Sequence, residues 1–344
     1  MKQSIGRVLV ETTVRKTLRE ICQDPKRSIR NLVDLAREFS VGDFQQLLFE
    51  TAGSLLEDET SSYYHLVQET VDAFDWDRLV CLGLNIGYNG CIQGARQIRS
   101  LEAAEHFNIP WCVSLELEEE LFSSSFEQYR QLILQGLELG IYCWQIHTDQ
   151  ISDQLLQLIR LFPDCAFALF CPSSCLYPML PYGAEAIRHL MFVPTCSSRE
   201  ELTFCRNVCE LLKKKKIPYG ILIKYDENTL PVLTGTAFLT SLTELSPVLT
   251  FFAPTSFLSD EAREASYARI HKLRMEAEYP TIFLDLMEDN YRIDSIISSE
   301  SCSAGFTKTG QLFSQNGITT DRESCFLHHS LKEILKTAFP KTED

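Results

Sequence analysis

Charged and polar side chains end several apolar runs of the chain, where they could bind a ligand or move a proton. His147 and Asp149 end one such run, and a histidine beside a carboxylate can act as an acid–base pair. Glu116, Lys224 and Asp285 lie at the ends of three other runs. If these runs are parallel strands, their carboxyl ends share one edge of a sheet, where ligands bind. We therefore predict these five residues as ligand-binding residues and assign none of them a catalytic role.

A structural alternative applies to two of these residues. Glu116 and Lys224 could form a buried ion pair that fills the interior, since a buried charge needs a partner. In that case neither side chain would contact a ligand.

Cysteines are the other residues that could bind a metal, and the chain has 13 of them. Cys205 and Cys209 are spaced so that a helix would place both sulfurs on one face, and Cys302 and Cys325 lie near the C-terminus. Neither pair has further cysteines or histidines at a spacing that would complete four ligands. We interpret most cysteines as buried thiols in a reducing cytosol and predict no metal site.

The composition limits the partners. The formal net charge of −15 argues against nucleic acid, because phosphate binding needs a basic surface. No apolar run is long enough to cross a bilayer, and residues 1–7 lack the apolar core of a signal peptide. We expect a cytoplasmic protein that binds neither nucleic acid nor a membrane.

The elements that must position these residues alternate along the chain after a helical N-terminal segment. Apolar runs predict strands at Cys112–Leu117, Tyr142–His147, Ala166–Cys171, Leu190–Pro194, Tyr219–Lys224, Val248–Ala253 and Thr281–Leu286. Helical periodicity predicts helices at Phe126–Leu139, Asp153–Leu161, Gly183–Arg188, Arg199–Lys214, Thr236–Leu245 and Asp260–Ala277. Such alternation is typical of a parallel sheet. Leu79–Leu84 fits a strand or a helix, and the GxxGxxxG spacing of Gly87, Gly90 and Gly94 is not a dinucleotide-binding fingerprint.

The order and spacing of several segments resemble a group of radical SAM proteins that carry a SPASM-like C-terminal segment. The matching segments are Asp24–Ala36, Phe107–Trp111, Leu137–Tyr142, Phe162–Phe167, Leu211–Gly220, Cys302–Gly305 and Ser330–Leu335. The resemblance implies an α/β fold with a partial (β/α)6 TIM-like barrel. It implies three parts: a helical segment at 1–107, the barrel at 108–292 and a short degenerate SPASM-like tail at 293–344.

Three motifs of that family are missing. Its loop after the first strand carries CxxxCxxC, which holds an iron–sulfur cluster, whereas the corresponding stretch Glu118–Gln128 contains no cysteine. His147–Gln150 stands in place of its GGEP motif, and Pro172-Ser173 replaces an Asn-Gly pair. Cys302 and Cys325 are too few for an auxiliary cluster. We therefore expect that the iron–sulfur cluster and S-adenosylmethionine sites are lost.

These observations favour a non-catalytic, radical SAM-like protein that binds a peptide, a protein or an active radical SAM paralogue. Such a protein would act as an accessory factor in peptide or protein modification. The alternative is a barrel enzyme with altered chemistry that binds a small ligand near His147 and Asp149. A barrel enzyme unrelated to radical SAM proteins is a third hypothesis.

Overall fold

The computed structural model describes residues 5–38, 42–196, 198–256, 258–298, 300 and 302–341. The strands are β1 (Cys112–Leu117), β2 (Cys143–Thr148), β3 (Ala166–Pro172), β4 (Leu190–Cys196), β5 (Gly220–Tyr225), β6 (Leu249–Pro254), β7 (Ile282–Asp285), β8 (Ala304–Phe306), β9 (Leu312–Ser314) and β10 (Gly317–Ile318). The helices are α1 (Ile5–Ile21), α2 (Pro25–Glu38), α3 (Asp43–Leu55), α4 (Ser62–Ala73), α5 (Trp76–Gly83), α6 (Ala95–Glu105), α7 (Glu119–Ser124), α8 (Phe126–Leu139), α9 (Asp153–Arg160), α10 (Arg199–Lys214), α11 (Leu230–Leu233), α12 (Thr236–Thr243), α13 (Asp260–Glu276), α14 (Glu288–Ser298) and α15 (Leu331–Ala338). A π-helix at Leu84–Gly94 joins α5 to α6.

The chain divides into two compact units. The first contains the residues up to Leu84, Pro172–Leu180 and Met191–Asp289, and the second contains Asn85–Cys171, Pro181–Leu190 and the residues from Asn290 onward. The three-part organisation predicted from the sequence stays a prediction.

The first unit joins the N-terminal helices to strands β4–β7. These strands pair in parallel in the order β4-β5-β6-β7. Five of the six residues of β5 are buried, which is typical of a parallel strand covered on both faces. Among the helices, Ile21, Ile29 and Tyr64 belong to one apolar core cluster.

The second unit contains strands in the order β10-β9-β8-β1-β2-β3. β8, β1, β2 and β3 run parallel, whereas β9 and β10 return as antiparallel strands. In β1 and β2, fully buried residues alternate with half-buried ones along most of the strand. Because successive side chains point to opposite faces, one face of these strands is packed and the other is only partly covered.

Two glycines of the GxxGxxxG segment, Gly90 and Gly94, allow close packing against other parts of the chain. A Cβ atom on Gly94 would lie 2.4 Å from the carbonyl oxygen of Gly140, and one on Gly90 would lie 3.1 Å from the Cys143 sulfur. Asn85 and Asn89 of the same π-helix donate hydrogen bonds to carbonyl oxygens of residues 163–165. The segment therefore packs closely against the sheet, because its glycines let the backbone come near neighbouring residues and its asparagine amides form hydrogen bonds.

The predicted fold class is confirmed as α/β: the chain is built from helices and mostly parallel strands. α-Helices separate the parallel strands β1–β7 along the chain, except that only 3₁₀ turns lie between β3 and β4, and the strands pair in sequential order within each unit. The ambiguous Leu79–Leu84 is helical up to Gly83. The helix predicted at Gly183–Arg188 is wrong, because only Ala184–Ala186 forms a single 3₁₀ turn there.

Candidate functional site

Two of the predicted residues lie side by side at the carboxyl ends of adjacent strands in the second unit. Glu116 of β1 is the register partner of His147 of β2, which in turn is the partner of Phe170 of β3. Register partners in parallel strands point to the same face. Glu116 and His147 therefore lie in one row on the partly covered face, and both are half-buried.

The same face has two lower rows of smaller residues. Ser114, Gln145 and Ala168 form the middle row. Below them, Cys112, Cys143 and Ala166 form an apolar cluster against which Trp111 packs. The face thus changes from apolar at the amino ends of the strands to polar and ionisable at their carboxyl ends.

An aromatic contact fixes the His147 ring. The rings of His147 and Phe170 stack with centroids 4.5 Å apart and an angle of 8° between their planes. Phe170 is almost fully buried, with 2% of its surface exposed. The stack holds the imidazole beside Glu116.

Asp149 lies just beyond β2 and forms an ion pair that the sequence did not suggest. Its carboxylate lies 2.8 Å from the ammonium nitrogen of Lys308, which donates a hydrogen bond to it. That hydrogen bond, together with the charges of Glu116 and Glu118, raises the pKa of Lys308 above its ordinary value. Lys308 therefore belongs to the same site as Glu116 and Asp149.

The stretch that follows β1 is helical. The Glu118 carboxylate accepts the backbone N–H groups of Glu120 and Leu121, at 3.3 and 2.8 Å, and so begins α7. Phe122 of that helix is fully buried and packs edge-on against Tyr129, with ring centroids 5.1 Å apart. Capping and aromatic packing therefore fix residues 118–129.

Asp285 belongs to the first unit, where it caps a helix. Its carboxylate accepts the backbone N–H groups of Met287 and Glu288, at 3.1 and 2.9 Å, at the start of α14. Burial raises the pKa of Asp285 to about 6, although the two N–H groups oppose this effect. The local geometry therefore indicates a structural role for Asp285, as the cap of α14.

Lys224 is exposed at the end of β5, in the first unit. The alternative of a buried Glu116–Lys224 ion pair is therefore wrong about Lys224, because this residue is exposed. The assignment of Glu116, His147, Asp149, Lys224 and Asp285 as ligand-binding residues stays a prediction.

The cysteines are free thiols, and most are buried. The sulfurs of Cys205 and Cys209 lie 3.9 Å apart, and their hydrogen bond lowers the pKa of Cys205 while it raises that of Cys209. Cys302 contacts Ser298 at 3.8 Å, and Cys325 contacts the carbonyl of Thr309 at 3.8 Å. Among the described residues, no three histidine, cysteine or acidic side chains are grouped so that they could hold a metal ion.

No helix within the described ranges combines the length and apolar character needed to cross a membrane.

Comparison with known proteins gives similarity only among solved structures. No protein-family model and no curated protein sequence matches the chain. The crystal structure of SuiB from Streptococcus suis is similar with a TM-score of 0.45 and 7% identity, and the match covers 63% of each chain. Native anSMEcpe with bound AdoMet is similar with a TM-score of 0.41 and 11% identity, over 65% of this chain and 73% of the other. The match thus spans less than two thirds of SuiB.

Proposed function

We propose that this chain is a radical SAM-like protein that builds no iron–sulfur cluster of its own and binds a peptide or protein segment at the edge formed by β1–β3. One observation carries the proposal: the stretch Glu118–Gln128 contains no cysteine, and it forms α7, which the Glu118 carboxylate caps, and the start of α8. A four-iron cluster of this family needs three thiolates there. The residues present do not fit that group.

The segment after β2 supports the same proposal. The Thr148 hydroxyl donates to the carbonyl of Gln150 at 2.6 Å and accepts its N–H at 3.2 Å. Asp149 between them pairs with Lys308. In the resembled family this segment is a GGEP motif whose backbone holds the methionine amino group, whereas here Thr148 bonds the backbone groups of Gln150.

The partly covered face of β1–β3 supports peptide binding. Ser114, Gln145, Glu116 and His147 place a hydroxyl, an amide, a carboxylate and an imidazole on one face of two adjacent strands. Binding sites typically combine apolar surface with a few convergent polar groups of this kind. At the amino ends of the strands this face is closed by the buried cluster of Cys112, Cys143 and Ala166, against which Trp111 packs.

Anaerobic reconstitution with iron and sulfide tests the loss of the cluster. We expect iron well below one cluster per chain and no 5′-deoxyadenosine from S-adenosylmethionine under reducing conditions. The double variant Cys205→Ser, Cys209→Ser is the matched control, because it removes a pair of thiols whose sulfurs lie 3.9 Å apart and should leave the residual iron unchanged. A stable cluster that cleaves S-adenosylmethionine would refute the proposal.

A random peptide library presented to the immobilised protein tests the binding site. We expect peptides that the wild-type protein retains and that a Glu116→Gln, His147→Ala double variant releases. The matched control is Lys272→Met, a change at an exposed side chain of the first unit, which should retain the same peptides. The proposal fails if no peptide is retained, or if the double variant retains the same set.

A second candidate function is an enzyme of altered chemistry that acts on a small ligand at the same edge. The observation that favours it is the pairing of Glu116 with His147 on adjacent strands, since a carboxylate beside an imidazole can move protons. It predicts that a small molecule raises the melting temperature through preferential binding to the native state. This candidate function would be refuted if no compound in a broad ligand screen raised the melting temperature and the His147→Ala variant kept the cellular role of the wild-type protein.

A further inference from the structure

Asn316 and Gly317 form an exposed asparagine–glycine pair in the turn between β9 and β10. Gly317 is the register partner of Ser314, so Gln315 and Asn316 connect the two strands. Asn316 is exposed, and its backbone N–H donates to the Ser314 hydroxyl at 3.2 Å. Its side-chain amide forms no hydrogen bond with another described residue. The Asn316 side chain can therefore rotate at the surface of the second unit.

Gly317 leaves the peptide bond after Asn316 unshielded. Its φ of 103° lies in the left-handed region, and a Cβ atom on it would meet nothing within 4 Å. Because glycine has no side chain, nothing on residue 317 screens its backbone nitrogen from the Asn316 side chain. β10 contains only two residues and ends the strand order, so its pairing with β9 opens at low cost. The Gly317 nitrogen can therefore reach the side-chain carbonyl carbon of Asn316.

The chain contains a second asparagine–glycine pair, Asn89 and Gly90, whose surroundings are the opposite. Asn89 is 2% exposed, and its amide donates to the carbonyl oxygen of Asp164 at 2.8 Å and to the Asn85 side chain at 3.2 Å. A Cβ atom on Gly90 would lie 3.1 Å from the Cys143 sulfur, so this backbone is closely packed. The two pairs have the same residue types, and the structure alone makes one reactive and protects the other.

We propose that Asn316 is a modification site at which the side chain deamidates without an enzyme and forms isoaspartate, whereas Asn89 stays intact. The Gly317 backbone nitrogen bonds to the side-chain carbonyl carbon of Asn316. The bond from that carbon to the side-chain nitrogen breaks, and ammonia leaves with the proton of the Gly317 amide. Water then opens the resulting succinimide at either carbonyl group, which yields aspartate or isoaspartate. Water is the only co-reactant, and nothing is oxidised or reduced.

Isoaspartate changes the β9–β10 hairpin because it lengthens the main chain within the turn and adds a carboxylate. Ile318 pairs with Phe313, and the Thr319 N–H donates to the carbonyl oxygen of Leu312 at 2.9 Å. Turn geometry and loop length fix the register of a hairpin. A longer turn therefore breaks this pairing and releases the Thr319 amide to solvent.

Peptide mapping by mass spectrometry, after incubation of the full chain at pH 8, tests the site. We expect Asn316 to react about a hundredfold faster than Asn89, the factor that corresponds to a local opening costing about 3 kcal/mol more at Asn89. Aspartate and isoaspartate should both appear at position 316, and an isoaspartate-specific methyltransferase should label the product. In the chain unfolded by urea the two asparagines should react at similar rates. Asn316→Gln is the matched control and should give no product, because its longer side chain closes the ring far more slowly.

Hydrogen exchange tests the effect on the hairpin. The Thr319 amide should exchange faster in the isoaspartate form than in the unmodified chain. Asn316→Asp is the control, since it adds the charge without lengthening the main chain and should keep the Thr319 amide protected.

The inference is overturned if Asn316 stays intact in the folded chain under conditions in which it reacts in urea, or if Asn316 and Asn89 react equally fast in the folded chain. Aspartate without isoaspartate at position 316 would also overturn it, because the amide would then be hydrolysed directly rather than through the succinimide. Equal exchange of the Thr319 amide in the isoaspartate form and the unmodified chain would refute the effect on the hairpin.

Discussion

Asp285 gives a prediction that follows directly from its burial. The residue is 2% exposed, and its carboxylate accepts two backbone N–H groups at the start of α14. The hydroxyl of Tyr225 lies 3.4 Å away and donates to the same side chain. Asparagine is an equally good cap, because its carbonyl oxygen accepts the same N–H groups. Asp285→Asn therefore keeps the cap and removes the buried charge.

The magnitude follows from the pKa of the native carboxyl group. Burial raises the pKa of Asp285 from 3.8 to about 6, which corresponds to about 3 kcal/mol at about 1.4 kcal/mol per pH unit. Because the native pKa lies above the unfolded one, the native state binds the proton more tightly. The contribution of Asp285 to stability is therefore fully present below pH 3.8 and is lost as the pH rises to about 6.

The assay is urea unfolding of the wild-type protein and of Asp285→Asn from pH 3 to pH 8. We expect the free energy of unfolding of the variant, relative to wild type, to rise by about 3 kcal/mol between pH 3 and pH 7 and then to stay level. Asp260→Asn is the control, because Asp260 begins α13 with a side chain that is 92% exposed. A difference between Asp285→Asn and wild type that is independent of pH would refute the reasoning.

Two further substitutions test close packing and a buried amide. Gly136→Ala would place a Cβ atom 2.4 Å from the ring of Trp144 and should lower the free energy of unfolding by about 1–3 kcal/mol. In the control Gly83→Ala the new Cβ atom meets nothing within 4 Å, so this variant should not be destabilised. Equal stability of the two variants in urea would contradict the prediction. Asn85→Ala removes donors to buried carbonyl oxygens of the 163–165 turn and should cost about 2–4 kcal/mol, so a thermal unfolding transition unchanged from wild type would contradict it.

The sequence predicts the regular elements well where local signals agree. α8 and α10 have the bounds that their periodicity indicates. α8 ends at Gly140, whose φ of 96° is the left-handed region that favours glycine, and α10 begins after Ser198, whose hydroxyl accepts the N–H of Glu201. Each helix therefore carries its own stop or start signal in addition to its apolar spacing.

The predicted helix at Gly183–Arg188 lacks such support. Gly183 has a φ of 76°, and Ile187 is already extended as the chain approaches β4. Six residues with a left-handed start cannot offset the cost of helix nucleation, so only one 3₁₀ turn forms. Apolar spacing alone is a poor predictor over so short a segment.

In the candidate site, too, local sequence patterns reveal some of the residues, whereas others are brought together only by contacts between distant parts of the chain. Glu116 and His147 could be placed at strand ends because apolar and polar residues alternate from Val113 to Leu117 and from Trp144 to His147. The Asp149–Lys308 pair joins residues 159 positions apart. β8 contains only three residues, which is too short for a periodic signal to reveal the strand that carries Lys308 to the site.

The pairing of β8 with β1 consequently decides the charge of the site. Phe306 is the register partner of Leu115, so the chain reaches the level of Glu116 one residue later and Lys308 one residue after that. A shift of this pairing by one residue would move the turn that carries Lys308 by about 3.3 Å along β1 and so break its 2.8 Å contact with Asp149. Glu116, Glu118 and Asp149 would then lack the ammonium that lies among them. The property that most affects which ligands this edge can bind therefore depends on the register of a three-residue strand.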